Sequence, residues 1–309
     1  MSTLLVSQAV REYVAARAAR QSGATVKNEA QVLTRFAATV AKGRDIQMAS
    51  LTAEHVEAWF VLLRQPHTDR SRTARPPIQA TTWNNYFARI KSFVSYCARR
   101  GWTRADLLAH VYPMKVAIRV RQQPSVDLLL AMLENTPEPR NRAVLACAMN
   151  TGLRAGEIER LRVGDVDLDT LTLRVWVSKS QVEDDMPITS DLAAELNIWL
   201  AAYAKSIERP LLPTDRLLPA CTGPRYRWRT LTNGTRECYH VPSTYVPHRP
   251  VGKLHRIAQA GLRSVGLPTL HEGIHTLRRA VARHYYEALA AERGHDGAIR
   301  IAGGPGSSG

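Results

Sequence analysis

Several features that would assign this chain to a membrane, secreted or metal-binding class are missing from its sequence. No apolar run reaches the roughly 20 residues that a membrane-spanning helix needs. The N-terminal segment lacks a basic stretch followed by an apolar stretch and a small-residue cleavage site, so we expect no secretory leader. The four cysteines form no CxxC pair. These absences favour a reduced, cytoplasmic protein.

The cysteines fall into two groups. Cys97 and Cys147 lie on apolar helical faces, where we expect small core residues. The other two share a loop-rich segment with two histidines: Cys221, Cys238, His240 and His248. A metal site there is conceivable, but the spacing matches no zinc pattern. The sequence therefore predicts no metal site.

Acidic residues are scarce relative to basic ones. Lys and Arg total 42 against 27 Asp and Glu, which gives a formal charge of +15. With 45% hydrophobic and 22% charged residues, the 309-residue chain is typical of a folded protein and long enough for two domains. Clustered cations favour a polyphosphate duplex through counterion release, so we expect double-stranded DNA as the partner and a nucleoid association. The alternative is a basic surface with no such partner.

The first part of the chain is predicted to be a helical bundle. Helical periodicity covers Leu4–Arg17, Asn28–Val40, a segment capped by Thr52, and Ala80–Arg100. Residues 65–79 form a basic loop, which is either a DNA contact or a solvated connection. A basic linker follows at residues 113–123. The candidate DNA contacts in this part are Arg72, Arg89, Lys91, Arg99, Lys115, Arg119 and Arg121.

The pattern changes after the linker. We predict helices over Val126–Asn135, Arg140–Asn150 and from Ser190, a strand over residues 171–177, and a hairpin tip over residues 178–185. Residues 213–250 are rich in Pro, Gly and Arg and are predicted to be mostly loop. Helices return at Lys253–Val265 and Ile274–Ala291, and residues 302–309 are expected to be unstructured.

Residues 151–157 read TGLRAGE, in which an apolar helix ends at a glycine and Arg154 begins the next helix. Glu157 lies one turn further on and can hold the guanidinium by an ion pair. A guanidinium fixed beside helix N-terminal amides suits two phosphate oxygens at once. The alternative is a surface arginine with a weak intrahelical pair, which this segment alone does not exclude.

Residues 275–278 read HTLR at the start of a helix. The spacing places His275 and Arg278 on one face, with Leu277 turned away from it. A histidine and an arginine together can exchange a proton at a phosphate and neutralise its charge. The alternative is a capped helix start with a basic surface.

Lys179 lies at the predicted hairpin tip, before Pro187. An ammonium on such a turn can reach a leaving oxygen and donate a proton to it. The alternative is a lysine that only keeps the tip soluble.

Taken in order, these motifs resemble the tyrosine recombinase family, which includes phage integrases and the Xer-type and Cre-type recombinases. The resemblance rests on TGLRAGE, on a strand with a hairpin lysine before a proline, and on HTLRR. It implies a mainly α fold with a small β-sheet in the second domain. The implied domains are a helical, SAM-like core-binding domain over residues 1–112, the linker over 113–123, and an incomplete α+β catalytic domain over 124–301.

The resemblance also implies roles for individual residues. Arg154 and Arg278 would clamp the scissile phosphate, and Glu157 would support Arg154. Lys179 would protonate the leaving 5′-oxygen, and His275 would assist proton transfer. The family uses neither a metal ion nor a nucleotide cofactor, works as a tetramer on DNA, and conserves energy in a 3′-phosphotyrosyl bond.

The nucleophilic tyrosine of that family has no counterpart, because no tyrosine follows Tyr286. Tyr285 and Tyr286 are too close to Arg278 to match the family spacing, and we expect their rings to pack in the core. His295 is likewise too close to replace the family's later histidine. We interpret the chain as truncated or frameshifted near Ile301, or as ending in an artificial tail. We expect it to hold DNA without cleaving it and to assemble poorly.

Other functions stay open on the sequence alone. One alternative is a natural truncation that occupies recombination sites without cutting them. A type IB topoisomerase shares this chemistry, although TGLR and HTLRR are closer to the recombinase motifs. A transcription regulator also fits the basic helices.

Overall fold

The computed structural model describes residues 4–41, 44–68, 74–117, 123–177, 182–223, 225–232, 234–241 and 244–302. The chain divides into two compact units, Met1–Val120 and Arg121–Gly309. Each unit has its own hydrophobic core. Helices predominate, and the strands are short and antiparallel, so the predicted mainly α class with a small sheet in the second unit is confirmed.

The first unit is a bundle of α-helices. Its described helices are α1 (Val6–Ala18), α2 (Gly23–Val40), α3 (Ala53–Leu63) and α4 (Ala80–Arg99). The four predicted helices are confirmed, although α2 begins earlier than predicted because the Ser22 side chain caps it by accepting from the Thr25 amide. The loop predicted over residues 65–79 contains a short strand pair, β1 (His67–Thr68) and β2 (Ala74–Arg75).

Aromatic side chains fill the centre of this bundle. The fully buried Trp59 ring meets Phe36 and Phe60 edge to face, at centroid distances of 5.3 and 4.9 Å. Such contacts add to the burial of large apolar surfaces and fix how α2 and α3 pack. Cys97 on α4 is fully buried as predicted, and burial raises the pKa of its thiol to about 12.

In the second unit, one helix lies at the centre of the others. The described helices are α5 (Val126–Glu134), α6 (Pro139–Thr151), α7 (Ala155–Ile158), α8 (Ser190–Ile207), α9 (Leu254–Ser264) and α10 (Ile274–Ala302). Six consecutive residues of α6, 143–148, are buried, so this helix is covered on all sides. It packs against α8, α9 and α10. The predicted burial of Cys147 is confirmed.

Two details of these helices differ from the predictions. The residue that caps α8 is Thr189, whose hydroxyl accepts from the Leu192 amide, so the predicted cap at Ser190 is wrong by one residue. Helix α10 continues beyond the predicted end at Ala291, with a kink at Gly294, where φ is 73°. Glycine adopts this backbone conformation without a steric penalty, which lets a helix change direction there.

The strands of the second unit form three small antiparallel sheets. β3 (Val166–Asp167), β4 (Thr172–Val177) and β5 (Val182–Pro187) pair in that order. Leu173 and Val175 of β4 point into the core, as the alternation predicted. The loop predicted over residues 213–250 is wrong, because it contains two further pairs. These pairs join β6 (Pro219–Thr222) to β9 (Thr244–Pro250), and β7 (Arg225–Thr230) to β8 (Arg236–Val241).

The ion pair of Asp215 with Arg209 makes the stability of this unit depend on pH. The buried carboxylate of Asp215 accepts hydrogen bonds from both terminal nitrogens of Arg209, at 2.8 and 2.9 Å, and from the Leu212 amide at 2.8 Å. The hydrogen bond from Arg209 is the main reason why the pKa of Asp215 lies below its ordinary value. Since the folded-state pKa is below the unfolded one, this stabilisation is present above the unfolded pKa and is lost as pH falls through the folded pKa.

We therefore expect Asp215→Asn to lower the free energy of unfolding at neutral pH by about 1–2 kcal/mol, a range that allows for the partial exposure of Arg209. The difference from the parent protein should shrink as the pH approaches the acid range. Urea unfolding followed by circular dichroism at neutral and acid pH measures both values. A difference that stays constant with pH would show that the loss comes from packing and not from the carboxylate charge.

Candidate phosphate-binding site

The turn between α6 and α7 positions the first arginine. Helix α6 ends at Gly152, which adopts a left-handed conformation with φ of 61° and lets the chain reverse direction. The Thr151 hydroxyl donates to the Cys147 carbonyl at 2.6 Å and accepts from the Leu153 amide at 3.2 Å. Arg154 then occupies the N-cap of α7. The two hydrogen bonds of the Thr151 hydroxyl thus fix the turn that leads to Arg154.

Glu157 holds Arg154 in place. Its buried carboxylate accepts from the Arg154 amide at 2.8 Å and from Arg154 Nη1 at 3.1 Å. The side chain of Glu157 is 2% exposed, whereas that of Arg154 is 41% exposed. One edge of the guanidinium is therefore fixed by a buried anion, and the rest of it is open to a ligand. The ion pair predicted between these two residues is confirmed.

Arg278 of α10 reaches the same turn. Its Nη1 donates to the carbonyl of Gly152, two residues before Arg154. Val281, one turn further along α10, lies close to Gly152 as well, since a Cβ placed on that glycine would be 3.7 Å from Val281 Cγ1. The structure therefore brings together the two arginine motifs, which are far apart in the sequence.

A partly buried hydrogen-bond network fixes the first turn of α10. The Glu272 carboxylate accepts from the Thr276 hydroxyl and, at 2.7 Å, from Arg279 Nη2. The Thr276 hydroxyl in turn accepts from the Gly273 amide at 3.2 Å. With Thr276 and Leu277 buried, His275 is exposed and Arg278 is partly exposed. Leu277 was predicted to turn away from the face of His275 and Arg278, and it is buried.

The start of α9 lies beside the start of α10. A Cβ added to Gly273 would be 3.3 Å from His255 Cβ, so the two helices meet two residues before His275. Three basic residues are exposed at this end of α9: Lys253, His255 and Arg256. The sequence reasoning missed them. Their clustering at a helix start, shortly before HTLRR, is the signal that would have identified them.

Some predicted residues lie where the structure gives no placement. Lys179, between β4 and β5, lies outside the described residues, as do Arg72, Arg119 and Arg121. Of the other candidate DNA contacts, Lys115 is exposed, and Arg89 donates from Nη1 to the Asn28 carbonyl at 2.9 Å. The side chains of Cys238 and His240 are also outside the described part.

A basic cleft of about 520 Å³ runs between α1 and α4 of the first unit. The predicted residues Lys91 and Arg99 line it, together with three arginines that the sequence reasoning missed: Arg17, Arg20 and Arg100. Arg17 is held by both oxygens of Glu29 at 3.0 Å. Arg100 lies over the rings of Tyr96 and Trp102, at 4.6 and 5.1 Å from their centroids. These contacts pre-organise cations along the cleft.

The two tyrosines after HTLRR do not pack into the core as expected. Tyr285 is 57% exposed. Tyr286 is partly buried, and its hydroxyl lies 3.0 Å from Nδ1 of His295, across the kink in α10. The prediction of core packing assumed that α10 buries this face, but the buried face of α10 is the one that carries Leu277 and Ala280.

Two negative findings concern only the described part of the chain. No three His, Cys, Asp or Glu side chains gather there as potential metal ligands. None of its helices is both long enough and apolar enough to cross a membrane.

Comparison with known families matches both units. The profile described as the phage integrase SAM-like domain matches residues 5–114, and the profile of the phage integrase family matches residues 119–212. Arg154 and Glu157 fall within the second match, whereas residues 275–278 lie beyond it.

Among related sequences, a Sinorhizobium fredii protein named for a proposed integrase/recombinase role, y4gC, is 28% identical over 179 residues, covering 57% of this chain and 79% of that protein. Tyrosine recombinase XerC of Chlamydia muridarum is 23% identical over 248 residues, covering 78% of this chain and 67% of XerC.

Among solved structures, a lambda integrase dimer bound to a COC′ core site has a TM-score of 0.60 at 15% sequence identity, covering 96% of this chain and 93% of that one. At this identity the match establishes the fold. Since both units match integrase profiles and both relatives carry recombinase names, this chain belongs to the phage integrase family of tyrosine recombinases, whose members bind, recombine and integrate DNA.

Proposed function

We propose that the chain is a site-specific recombinase or integrase that binds duplex DNA and clamps the scissile phosphate between Arg154 and Arg278. The observation that carries this proposal is the hydrogen bond from Arg278 to the Gly152 carbonyl, which joins the two arginine motifs at one turn. Two guanidinium groups at one site can neutralise a phosphodiester and form charge-assisted hydrogen bonds to its oxygens.

Each neighbouring group has a part in this proposal. Glu157 keeps the Arg154 guanidinium in a single orientation, so little entropy is lost when a phosphate binds. His275 is exposed on the Arg278 face of α10, where it can exchange a proton with an attacking or departing oxygen. Lys179, before Pro187, is the proposed donor of a proton to the leaving 5′-oxygen. The positive charge at the reacting phosphate comes from the arginines.

The first unit contributes affinity that does not depend on sequence. The basic cleft between α1 and α4 presents Lys91, Arg99 and Arg100 to the backbone of a duplex. Contacts of this kind fix the position of a protein on DNA and carry little sequence information. The lambda integrase that shares this fold is bound to DNA in its structure, and in another structure it is a tetramer on a Holliday junction.

We also propose that the 309-residue chain holds its site without cutting it. Two observations on the tyrosines after Arg278 support this proposal: Tyr285 is exposed, and the Tyr286 hydroxyl lies 3.0 Å from Nδ1 of His295. The chain would then occupy recombination sites as a non-cleaving protein. The position of Tyr286 beside His295 favours this second function over strand cleavage by the same polypeptide.

Fluorescence anisotropy with a labelled DNA duplex at several salt concentrations tests DNA binding. We expect the logarithm of the binding constant to fall steeply and linearly with the logarithm of the salt concentration. The double variant Lys91→Gln/Arg99→Gln should reduce this slope by about 2, because each phosphate contact contributes about 0.9.

Arg104→Gln is the matched control, because Arg104 is 84% exposed, pairs with Asp106 and does not line the cleft. It should change the slope by less than half as much. The absence of any binding to duplex DNA by the parent chain would disprove the proposed function. If neither Lys91→Gln/Arg99→Gln nor Arg104→Gln changes the salt slope, the cleft does not contribute to DNA binding.

A further inference from the structure

The hairpin formed by β7 and β8 has no part in the function proposed so far. It follows the residues that the phage integrase profile matches, which end at residue 212. The strands pair over six residue pairs, from Arg225 opposite Val241 to Thr230 opposite Arg236. Among the described strands, β7 and β8 pair only with each other. The hairpin is therefore a separate two-stranded ribbon within the second unit.

The ribbon is closed by a defined turn. The Leu231 amide donates to the Thr235 carbonyl at 2.8 Å, and the Gly234 amide donates to the Leu231 carbonyl at 2.9 Å. Gly234 has a φ of 80°, which a residue with a side chain rarely adopts. The described residues around this turn, including Arg229 and Arg236, are all exposed. This end of the ribbon is thus exposed to solvent.

The sequence of the ribbon is strongly basic. Residues 225–241 contain four arginines and one glutamate. Arg225, Arg227 and Arg229 occupy alternate positions of β7, and alternate positions of a strand lie on one face. The register places Glu237 opposite Arg229, so one of these three positions is opposed by a carboxylate. With four arginines against one glutamate, the ribbon keeps a net positive charge.

We propose that this β7–β8 ribbon is a second DNA-contacting element, which lies in the major groove of the duplex held by the phosphate site. A two-stranded antiparallel ribbon fits a groove about 12 Å wide, and six residues of strand extend about 20 Å along it. Arginines at alternate positions then face phosphates and the acceptor edges of guanine. This inference rests on the proposed function, because it requires the chain to bind duplex DNA.

Protection of a free sheet edge is a competing explanation of the arginines, because charged residues on edge strands prevent aggregation. Edge protection works with charges of either sign. It therefore predicts that substituting these charges leaves the DNA affinity unchanged. Charge substitutions within the ribbon therefore distinguish the two.

The test compares three variants with the parent chain by anisotropy on one labelled duplex. Arg227→Gln/Arg229→Gln removes two cations from β7, and Glu237→Gln removes the opposing carboxylate. The matched control, Arg283→Gln/Arg293→Gln, removes two cations from α10. The side chains of Arg283 and Arg293 are 57% and 56% exposed. Far-ultraviolet circular dichroism and thermal melting confirm that each variant folds like the parent.

We expect Arg227→Gln/Arg229→Gln to weaken binding by about tenfold and to reduce the salt slope by about 2 relative to the control. Glu237→Gln should tighten binding, and because it removes no arginine it keeps the test valid if the double variant folds poorly. Binding of the ribbon variants that equals binding of the control would overturn the ribbon proposal while leaving the phosphate site intact. Failure of the parent chain to bind any duplex would instead overturn the proposed function itself.

Discussion

Incubation of the 309-residue chain with a nicked suicide duplex that carries its selected binding site is expected to yield no covalent protein–DNA adduct. In the tyrosine recombinase mechanism a tyrosine hydroxyl attacks the phosphate that the arginines hold, and the nick prevents religation so that the adduct accumulates. The proposed clamp consists of Arg154, which pairs with Glu157, and Arg278, which donates to the Gly152 carbonyl. What decides the outcome is whether any tyrosine reaches it.

The geometry of α10 argues against both nearby tyrosines. Tyr286 lies eight residues after Arg278, which corresponds to about 12 Å along a helix. The Arg278 guanidinium extends to Gly152, whereas the Tyr286 hydroxyl is directed to His295, beyond the other end of this stretch of α10. Tyr285 is exposed and lines a groove with residues of α5 and α8. We therefore expect neither hydroxyl to reach a phosphate held by the two arginines.

Denaturing gel electrophoresis with labelled DNA measures the adduct directly. The binding site is first selected from a random-sequence pool, and a cleavage-competent recombinase on its own nicked site shows that the gel detects adducts. A labelled band that survives denaturation would contradict the expectation. Tyr285→Phe and Tyr286→Phe would then show which hydroxyl attacks, and a large movement of α10 would have to accompany DNA binding.

Local patterns in the sequence predicted most of the helical architecture. Helices α1, α3, α4 and α6 have apolar residues at helical spacing and end or begin at residues with clear capping preferences, such as Thr52 and Gly152. The ion pair of Arg154 with Glu157 is also local, because the two residues lie one turn apart. Information of this kind is present in a single short segment, so sequence reasoning recovers it.

The features that no single segment reveals depend on contacts between distant segments. Strand β6 pairs with β9 across a bulge that contains Pro247, and prolines at strand ends made this region look like loop. The hydrogen bond from Arg278 to the Gly152 carbonyl joins residues that are 126 positions apart in the sequence. Only the family motifs gave a reason to expect these two segments to lie together. The exposure of Tyr285 depends on which face of α10 the rest of the unit covers. None of these features leaves a periodic signal in its own segment.

Arg154→Ala is expected to weaken DNA binding by about tenfold or more, since charge-assisted hydrogen bonds to a phosphate contribute about 1.5–3 kcal/mol. It should also lower the free energy of unfolding, because it removes the guanidinium that pairs with the Glu157 carboxylate, which is 2% exposed. We expect that loss to be about 1–3 kcal/mol, reduced from the value for a fully buried pair by the 41% exposure of Arg154. One substitution thus has two effects with different causes.

A double-mutant cycle separates them. Glu157→Gln keeps an acceptor for the Arg154 amide but removes the buried charge, so Arg154→Ala/Glu157→Gln should regain much of the lost stability. Its DNA affinity should stay as low as that of Arg154→Ala, because the guanidinium that binds the phosphate is still absent. Urea unfolding gives the stabilities and anisotropy gives the affinities. If the double variant recovers the affinity of the parent chain together with its stability, Arg154 supports the fold and does not contact DNA. If only stability recovers, the guanidinium itself binds the phosphate, and Glu157 acts by keeping it in position.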